Sequence, residues 1–205
     1  MFSFFTLCDV QGWLQRHKLP RTKRMLPTAK QIRGTIVDAL VNQVVVYPAA
    51  MYLAYFHLVG GLPDAHAPLA TSFIELWKTF IFAETFNEVG FYIIHRAVHE
   101  SSFLYKHVHK KHHNYVGTIM IAAEHAHPIE SVFANVLPTV GYCLFMRVHC
   151  LVFLVWLAWR SWETFEAHSG YCYKDTFLSR IGMLHAHRCE FHDYHHTVNI
   201  GNFGT

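Results

Sequence analysis

The chain has 205 residues, of which 52% are hydrophobic and only 15% are charged. Ordinary globular domains carry about 25% charged residues, so this composition excludes a disordered chain, and the length allows one domain with its own core. The formal net charge of +3 is modest. Histidine is the abnormal residue, because the chain has 18 and 15 of them lie between His95 and His196. Such clustering indicates a chemical role.

The N-terminal region is basic, since seven of the 17 lysines and arginines lie before residue 34. A basic arm next to an apolar segment fits the anionic cytosolic surface of a membrane better than it fits a nucleic acid. Because no basic stripe with interleaved aromatic residues follows, we expect no nucleic-acid partner. The predicted organisation is a basic arm over residues 1–34 and a membrane-embedded domain over residues 35–205.

The first long apolar segment covers residues 39–63 and contains no Asp, Glu, Lys or Arg. At 1.5 Å per residue, a helix of this length crosses a hydrocarbon core of about 30 Å with some tilt. A short turn without Lys or Arg follows over residues 64–71, and Ser72 with Glu75 then forms a capping-box signature. The pattern predicts a helical hairpin whose second helix runs to about Ile94.

Two shorter apolar segments, 131–146 and 148–159, predict a second hairpin. Each is short for a membrane span, so a buried hairpin of a soluble protein is the alternative interpretation. The arm, segment 95–130 and segment 164–205 together hold 14 of the 17 basic residues, which favours a cytosolic position for all three. We therefore predict an all-α integral membrane bundle of about four apolar helices in two hairpins, with a cytosolic histidine-rich helical cap.

Histidines recur at metal-ligand spacing. His95 and His99 are four residues apart, and the pattern His-x-x-His-His occurs over residues 109–113 and again over residues 192–196. On a helix the first and last histidine of each box share one face and the fourth residue lies beside them, so each box offers three nitrogens to a common centre. A single pair of histidines at this spacing is more often solvent-facing or satisfied in a core than metal-binding, but the repetition predicts a two-metal cluster. Imidazole binds Fe, Zn, Cu and Ni, so the ligands alone do not choose the metal.

Two carboxylates share the helical stripe of the first histidine pair. Glu84, Glu88, His95 and His99 are spaced by 4, 7 and 4 residues. Glu88 could accept the second ring N–H of a ligating histidine and assist catalysis in that way. Alternatively, it could only form an interhelical hydrogen bond, and the sequence does not favour one of these two roles for Glu88. For Glu84 the hydrogen bond is favoured.

Several motifs carry a resemblance to a known family. They are Phe91-Tyr92-x-x-His95-Arg96-x-x-His99, Leu104-Tyr105-Lys106-x-x-His109-Lys110-Lys111-His112-His113, Ala123-Glu124-x-x-His127-Pro128-x-Glu130 and Glu190-x-His192-Asp193-x-His195-His196. Together they resemble the fatty acid hydroxylase superfamily over roughly residues 75–205. His168-Ser169-Gly170-Tyr171 and Gly201-Asn202-Phe203-Gly204 are most similar to the branch of sterol C4-methyl oxidases and sterol desaturases.

The resemblance implies a multi-pass protein of the endoplasmic reticulum membrane whose histidines hold two iron ions, for which zinc can substitute. It also implies O₂ as oxidant and cytochrome b5 with an NAD(P)H-dependent reductase as the electron source. Carried over residue by residue, the metal ligands would be His95, His99, His109, His112, His113, His127, His168, His192, His195 and His196. Four further histidines are expected to be bystanders, namely His107, His125, His185 and His187.

The expected reaction is oxidation of a C–H bond in a sterol or another lipid that enters from the bilayer. The sequence has no G-x-G-x-x-G and no haem-attachment motif, so a separate reductant is required. A fatty-acid or sphingolipid hydroxylase, a sterol desaturase and a non-catalytic metal-binding scaffold stay open as alternatives. A metal transporter is disfavoured because the boxes flank the apolar helices at one surface. The chain ends nine residues after His196, where relatives continue, which is consistent with a C-terminal truncation.

Overall fold

The computed structural model describes residues 2–54 and 73–204. Within this part of the chain the regular secondary structure is helical, and β-structure is limited to an isolated bridge between Lys18 and Tyr171. The predicted all-α class is therefore confirmed. The predicted turn over residues 64–71, the Ser72 cap and the end of the 39–63 segment lie outside the described residues.

The N-terminal arm contains helix α1 (Phe2–Gln11) and is followed by a long helix made of α2 (Ala29–Val41), a π-helical turn (Asn42–Val46) and α3 (Tyr47–Leu53). This helix begins ten residues before the predicted span. The reason is a capping box, in which Thr28 Oγ1 accepts from the Gln31 N–H at 3.2 Å. Segment 23–53 is long and apolar enough to cross a membrane, and it is the single such candidate among the described residues.

Helix α4 (Phe73–Glu100) has 28 residues and forms the longest element of the described chain. It extends past the predicted end at Ile94 and carries His95 and His99 in its last two turns. At 1.5 Å per residue it is about 42 Å long. Both imidazoles of the first histidine pair therefore project from one regular helix, as their spacing predicts.

The second hairpin is present and longer than predicted. Its first arm comprises α6 (Pro128–Glu130), a π-helical turn (Ser131–Val136) and α7 (Leu137–Phe145), and its second arm is α8 (Cys150–Ala167). Between the arms, the His149 side chain caps α8 by accepting from the Leu151 N–H at 3.1 Å. Because α8 continues beyond the predicted end at residue 159, it reaches the histidine-rich end of the molecule.

The core lies where α4, α7 and α8 meet, and its buried residues are Ala83, Val140, Cys143, Leu144, Phe153 and Trp156. Helices α4 and α7 approach closely at Gly141, where a Cβ atom would lie 2.7 Å from the ring of Phe86. Trp156 also donates its indole N–H to the Thr139 carbonyl at 2.7 Å, which ties α8 to α7. These contacts fix the frame on which the histidines are placed.

The histidine-rich end is built from short elements, among them α5 (Ser102–Leu104), α9 (Phe177–Arg180) and α10 (Arg188–Val198). The second box does not lie on a regular α-helix, which corrects the assumption made from its spacing. It runs from a π-helical turn (Tyr105–His109) into a 3-10 turn (His112–Asn114). The third box does lie on a regular helix, α10.

Candidate metal centre

The structure brings nine of the ten predicted ligands together in two groups. The five-histidine cluster contains His95, His99, His109, His113 and His195. The four-histidine cluster contains His112, His168, His192 and His196. In each cluster the candidate ligand nitrogens all lie within 4.8 Å of one another, and every member except His99 is buried. The two clusters are adjacent, because the ring centroids of His113 and His196 are 4.7 Å apart.

The spacing of the ring nitrogens matches what one ion per cluster requires. In the five-histidine cluster, His109 Nε2 lies 2.7 Å from His99 Nε2 and 2.9 Å from His113 Nε2. In the four-histidine cluster, His192 Nε2 lies 2.8 Å from His168 Nε2 and 3.2 Å from His196 Nε2. Neighbouring imidazole nitrogens bound at about 2.0–2.1 Å to one ion lie about 3 Å apart. The geometry therefore fits a metal ion in each cluster.

Each doubled box is divided between the two clusters, which sequence spacing did not predict. In the second box, His109 and His113 belong to the five-histidine cluster and His112 to the other. In the third box the assignment is reversed, since His192 and His196 belong to the four-histidine cluster and His195 to the five-histidine cluster. On α10 the first and last histidines of the box share a face and the fourth residue points to one side of it. Each box was expected to give its three nitrogens to one centre, whereas in the structure each box gives histidines to both clusters.

In five of the histidines, the ring nitrogen that points away from the cluster is paired with a hydrogen-bond acceptor. The pairs are His109 Nδ1 with Glu130 Oε1 at 2.8 Å, His95 with the Phe203 carbonyl at 2.9 Å, His195 with the Gly201 carbonyl at 2.7 Å, His168 with the Thr164 carbonyl at 2.8 Å and His196 with the Tyr115 carbonyl at 3.1 Å. Such acceptors hold the proton on Nδ1 and leave the Nε2 lone pair free for a metal.

The electrostatics keep these imidazoles neutral. Burial and the neighbouring His99 and His195 lower the pKa of His109 to about 2. Burial likewise lowers the pKa of His168 to about 4, although its bond to the Thr164 carbonyl acts in the opposite direction. Neutral imidazole is the form that binds a metal. In addition, the Nε2 atoms of His95 and His195 are buried without a hydrogen-bond partner, a cost that a bound cation would remove.

Glu130 is a part of the centre that the sequence reasoning missed. It is 6% exposed at the start of the second hairpin, and its carboxylate accepts from the buried His109 ring. A carboxylate–histidine pair of this kind orients a ligand and raises its basicity. The available signal was its place three residues after His127, at the first turn of an apolar helix.

Glu88 has a different environment from the one proposed for an orienting carboxylate. Its Oε1 lies 3.6 Å from Arg160 Nη1, whereas the outward nitrogen of His95 is bonded to the Phe203 carbonyl. Glu84 also lies near the same guanidinium, at 3.8 Å. Contacts of both carboxylates with Arg160 are interhelical, which is one of the two interpretations for Glu88 and the favoured one for Glu84, and the role of Glu88 stays a prediction.

The remaining histidines of this region lie outside both clusters. His127 Nδ1 accepts from the Ile129 N–H at 3.2 Å and caps α6, so the structure does not bring this tenth predicted ligand to the centre. Three of the four expected bystanders have contacts of their own: His125 with Asp38 at 2.8 Å, His185 with Glu163 at 3.4 Å and His187 with Glu190 at 3.1 Å. The fourth, His107, is exposed next to the ring of Phe103.

A cavity of about 310 Å³ adjoins both clusters and extends between the long helices. One part of its wall consists of His95, His109, His112, His168 and His192. Another part is apolar and is formed by Met51, Phe91, Val140, Phe153 and Leu157. Asn87 and Arg160 add a polar region on the wall. The cavity can hold an apolar molecule with one end against the metal ligands.

In the described residues, the combination of a helical fold, two adjacent polyhistidine clusters and an apolar cavity is typical of a helical protein that can bind metal ions. The sequence model of the family described as fatty acid hydroxylase matches residues 80–205, and the chain belongs to this family. The match covers all nine clustered histidines together with Glu130.

Individual relatives agree with this assignment. The chain is 30% identical to Fatty acid hydroxylase ahd1 of Mycosarcoma maydis over all of its length and 51% of the relative. It is 30% identical to Methylsterol monooxygenase 2-2 of Arabidopsis thaliana over 98% of the chain and 74% of the relative. It is also 30% identical to the human Fatty acid hydroxylase domain-containing protein 2 over 90% of the chain and 52% of the relative. The chain thus spans about half the length of two of these proteins. No solved structure gives a significant match.

Proposed function

We propose that this chain is a membrane-bound oxygenase that uses two iron ions, O₂ and two external electrons to hydroxylate a C–H bond of a sterol or another lipid. The observation that carries the proposal is the arrangement of nine histidines in two adjacent clusters that form one wall of an apolar cavity. The names of the relatives, which include a methylsterol monooxygenase and a fatty acid hydroxylase, support the same class of reaction.

The protein's own groups would hold and shield the two metal ions. His95, His99, His109, His113 and His195 would bind one ion, and His112, His168, His192 and His196 the other. Bound iron would supply the activation of O₂, so that one oxygen atom enters the C–H bond and the other leaves as water with two electrons and two protons. Glu130 orients His109, and backbone carbonyls orient four further ligands. Burial of the clusters would shield the metal sites from bulk water.

The substrate would enter from the bilayer, and the helices would form a multi-pass membrane bundle. Large apolar side chains are exposed on the outward faces, for example Val44 at 68%, Phe82 at 57%, Phe145 at 81% and Leu154 at 59%. An exposed apolar surface of this extent marks contact with a membrane or with another apolar partner. Together with the candidate span 23–53, this supports the four-helix bundle predicted from the sequence.

Electrons would come from cytochrome b5 and an NAD(P)H-dependent reductase in the endoplasmic reticulum, with the histidine boxes on the cytosolic side. The support is chemical, because the chain itself has no nucleotide-binding glycine motif. Basic residues of the arm lie on the same end of the molecule as the boxes, since the Leu19 N–H donates to the Gly170 carbonyl at 2.9 Å. A basic surface at this end would favour encounter with an acidic electron carrier.

The experiment that tests the proposal measures turnover and lipid products in the same sample. Membranes that contain the chain are supplied with NADH, cytochrome b5 and its reductase, and offered 4-methyl sterols, fatty acids or sphingolipids in separate reactions. We expect oxidation of 4-methyl sterol, complete loss of product in His112→Ala, and unchanged product in the matched control His107→Ala, which alters an exposed histidine outside both clusters. Product from fatty acids or sphingolipids alone would favour the corresponding hydroxylase. Equal silence of wild type and His112→Ala on all three classes would favour a non-catalytic scaffold.

A further inference from the structure

A single arginine of the N-terminal arm lies against all the chain segments that supply the four-histidine cluster. Arg21 precedes the family match over residues 80–205, and its side chain is only 9% exposed. We propose that Arg21 is a positioning residue that holds the four-histidine cluster together through Asp193. This inference rests on the proposed two-metal function, and it assigns a part of the metal centre to the arm.

The contacts of Arg21 form a closed set of hydrogen bonds. Its Nη1 donates to both carboxylate oxygens of Asp193, at 2.8 and 2.7 Å, and its Nη2 donates to the Thr118 carbonyl at 2.8 Å. Asp193 Oδ1 also accepts from the N–H and from Oγ1 of Thr118, each at 2.8 Å. Because ionised partners in a buried site make strong and directional bonds, these three residues fix the distance between segment 115–118 and α10.

The same guanidinium also packs against the end of α8. A Cβ atom on Gly170 would lie 2.8 Å from Arg21 Nη2, so the absence of a side chain there makes room for the arginine. Gly170 follows the ligand His168 by two residues, Thr118 follows the second box and Asp193 lies inside the third box. One guanidinium therefore meets the three segments that carry the four ligands.

The backbone of the arm is attached at the same place. The Leu19 N–H donates to the Gly170 carbonyl at 2.9 Å, and the Cys172 N–H donates to the His17 carbonyl at 2.7 Å. These two bonds form the isolated bridge between the arm and the segment after α8. They hold Arg21 in register with Asp193, so the arginine does not depend on its own side-chain bonds alone for its position.

The two clusters depend on this clamp to different extents. The five-histidine cluster keeps four ligands from α4 and the second box even when the third box shifts. The four-histidine cluster takes one ligand from the second box, one from the end of α8 and two from α10, so a shift of α10 affects half of its ligands. Loss of Arg21 is therefore expected to weaken the four-histidine site selectively.

The test measures iron content and affinity in the purified full chain after anaerobic loading with Fe²⁺. We expect two ions per chain in wild type and in Arg24→Met, the matched control at an exposed arginine of the same arm. We expect Arg21→Met to retain wild-type helicity and one tightly bound ion. The second ion should bind about 10- to 100-fold more weakly, which is the typical loss when a residue that positions metal ligands is replaced. His112→Ala should show the same loss, because it removes a ligand of the same cluster.

Further variants separate positioning from simple stabilisation. Arg21→Met/Asp193→Asn removes both charges and keeps an acceptor oxygen for Thr118, so it should recover thermal stability while the second ion stays weakly bound. Arg21→Lys keeps the charge but not the fork of donors and should bind the second ion with intermediate affinity. If Arg21→Met does not fold, Arg21→Lys and Thr118→Val decide, because each weakens only part of the clamp.

Two outcomes are decisive against the inference. Two ions bound at wild-type affinity in folded Arg21→Met, or in both partial variants, would overturn the role of Arg21. Equal weakening of both sites would overturn its selectivity for the four-histidine cluster. A wild-type chain that binds no metal would instead refute the proposed function, and this result is distinguishable because it involves no Arg21 variant.

Discussion

Replacement of Glu130 tests whether the metal centre is built as the hydrogen bonds indicate. Its carboxylate lies 2.8 Å from His109 Nδ1, and the two side chains are 6% and 1% exposed. Glu130→Ala leaves the outward N–H of a buried ligand without an acceptor, whereas Glu130→Gln keeps an acceptor oxygen but removes the charge. We therefore expect metal binding at the five-histidine cluster to fall about 100-fold in Glu130→Ala and about tenfold in Glu130→Gln. These changes correspond to about 2.7 and 1.4 kcal/mol.

The assay is competition for Fe²⁺ or Zn²⁺ with a chelator of known affinity, followed for each of the two bound ions. Glu88→Gln is the matched control, because it makes the same chemical change at a carboxylate near Arg160 rather than near a ligand ring. We expect its metal affinity to stay within a few-fold of wild type. If Glu88→Gln instead weakens binding by tenfold or more while Glu130→Gln does not, Glu88 and not Glu130 orients the ligands, and the reasoning from the hydrogen bonds is refuted.

Two further predictions concern topology and pH. A glycosylation acceptor inserted between Asp64 and Thr71 should be modified and one inserted near Lys110 should not, because basic segments favour the cytosolic side; the opposite pattern would overturn the proposed orientation. The metal-free protein should melt at a lower temperature at pH 5.5 than at pH 7.5, as measured by circular dichroism. The native pKa values of His109 and His168, about 2 and about 4, lie below the unfolded value of 6.5, so only the unfolded chain takes up these protons as the pH falls through 6.5. An unchanged melting temperature would contradict this.

The features that sequence alone could predict are those set by local spacing. The i, i+4 relation between His95 and His99 requires only that α4 continues, and the structure shows that it does. The two apolar segments of the second hairpin likewise require only a turn, which Arg147 provides with a φ of +50°. The predicted start of the long N-terminal helix is wrong because absence of charge defines only the apolar segment, whereas the helix begins at a Thr28–Gln31 capping box among charged residues.

The features that sequence could not predict depend on how distant segments pack together. The carbonyls of Gly201 and Phe203 orient His195 and His95. Because every residue has a backbone carbonyl, the amino-acid type does not show which one accepts a hydrogen bond. The division of each doubled box between two clusters depends on the angle between α10 and the π-helical turn Tyr105–His109, which no periodicity encodes. The partner of Arg21 is 172 residues away in the chain.

The second and third histidine boxes must come together before either cluster has all of its ligands. Because the second and third boxes each give ligands to both clusters, neither cluster is complete until these two segments have docked. The four-histidine cluster also needs the end of α8, and the five-histidine cluster needs the end of α4. Without an ion, the nine neutral imidazoles, of which all but His99 are buried, would place nitrogen lone pairs about 3 Å apart, an arrangement that a cation stabilises. Metal binding is therefore expected to stabilise the final packing of this end of the molecule, on the frame that the long helices provide.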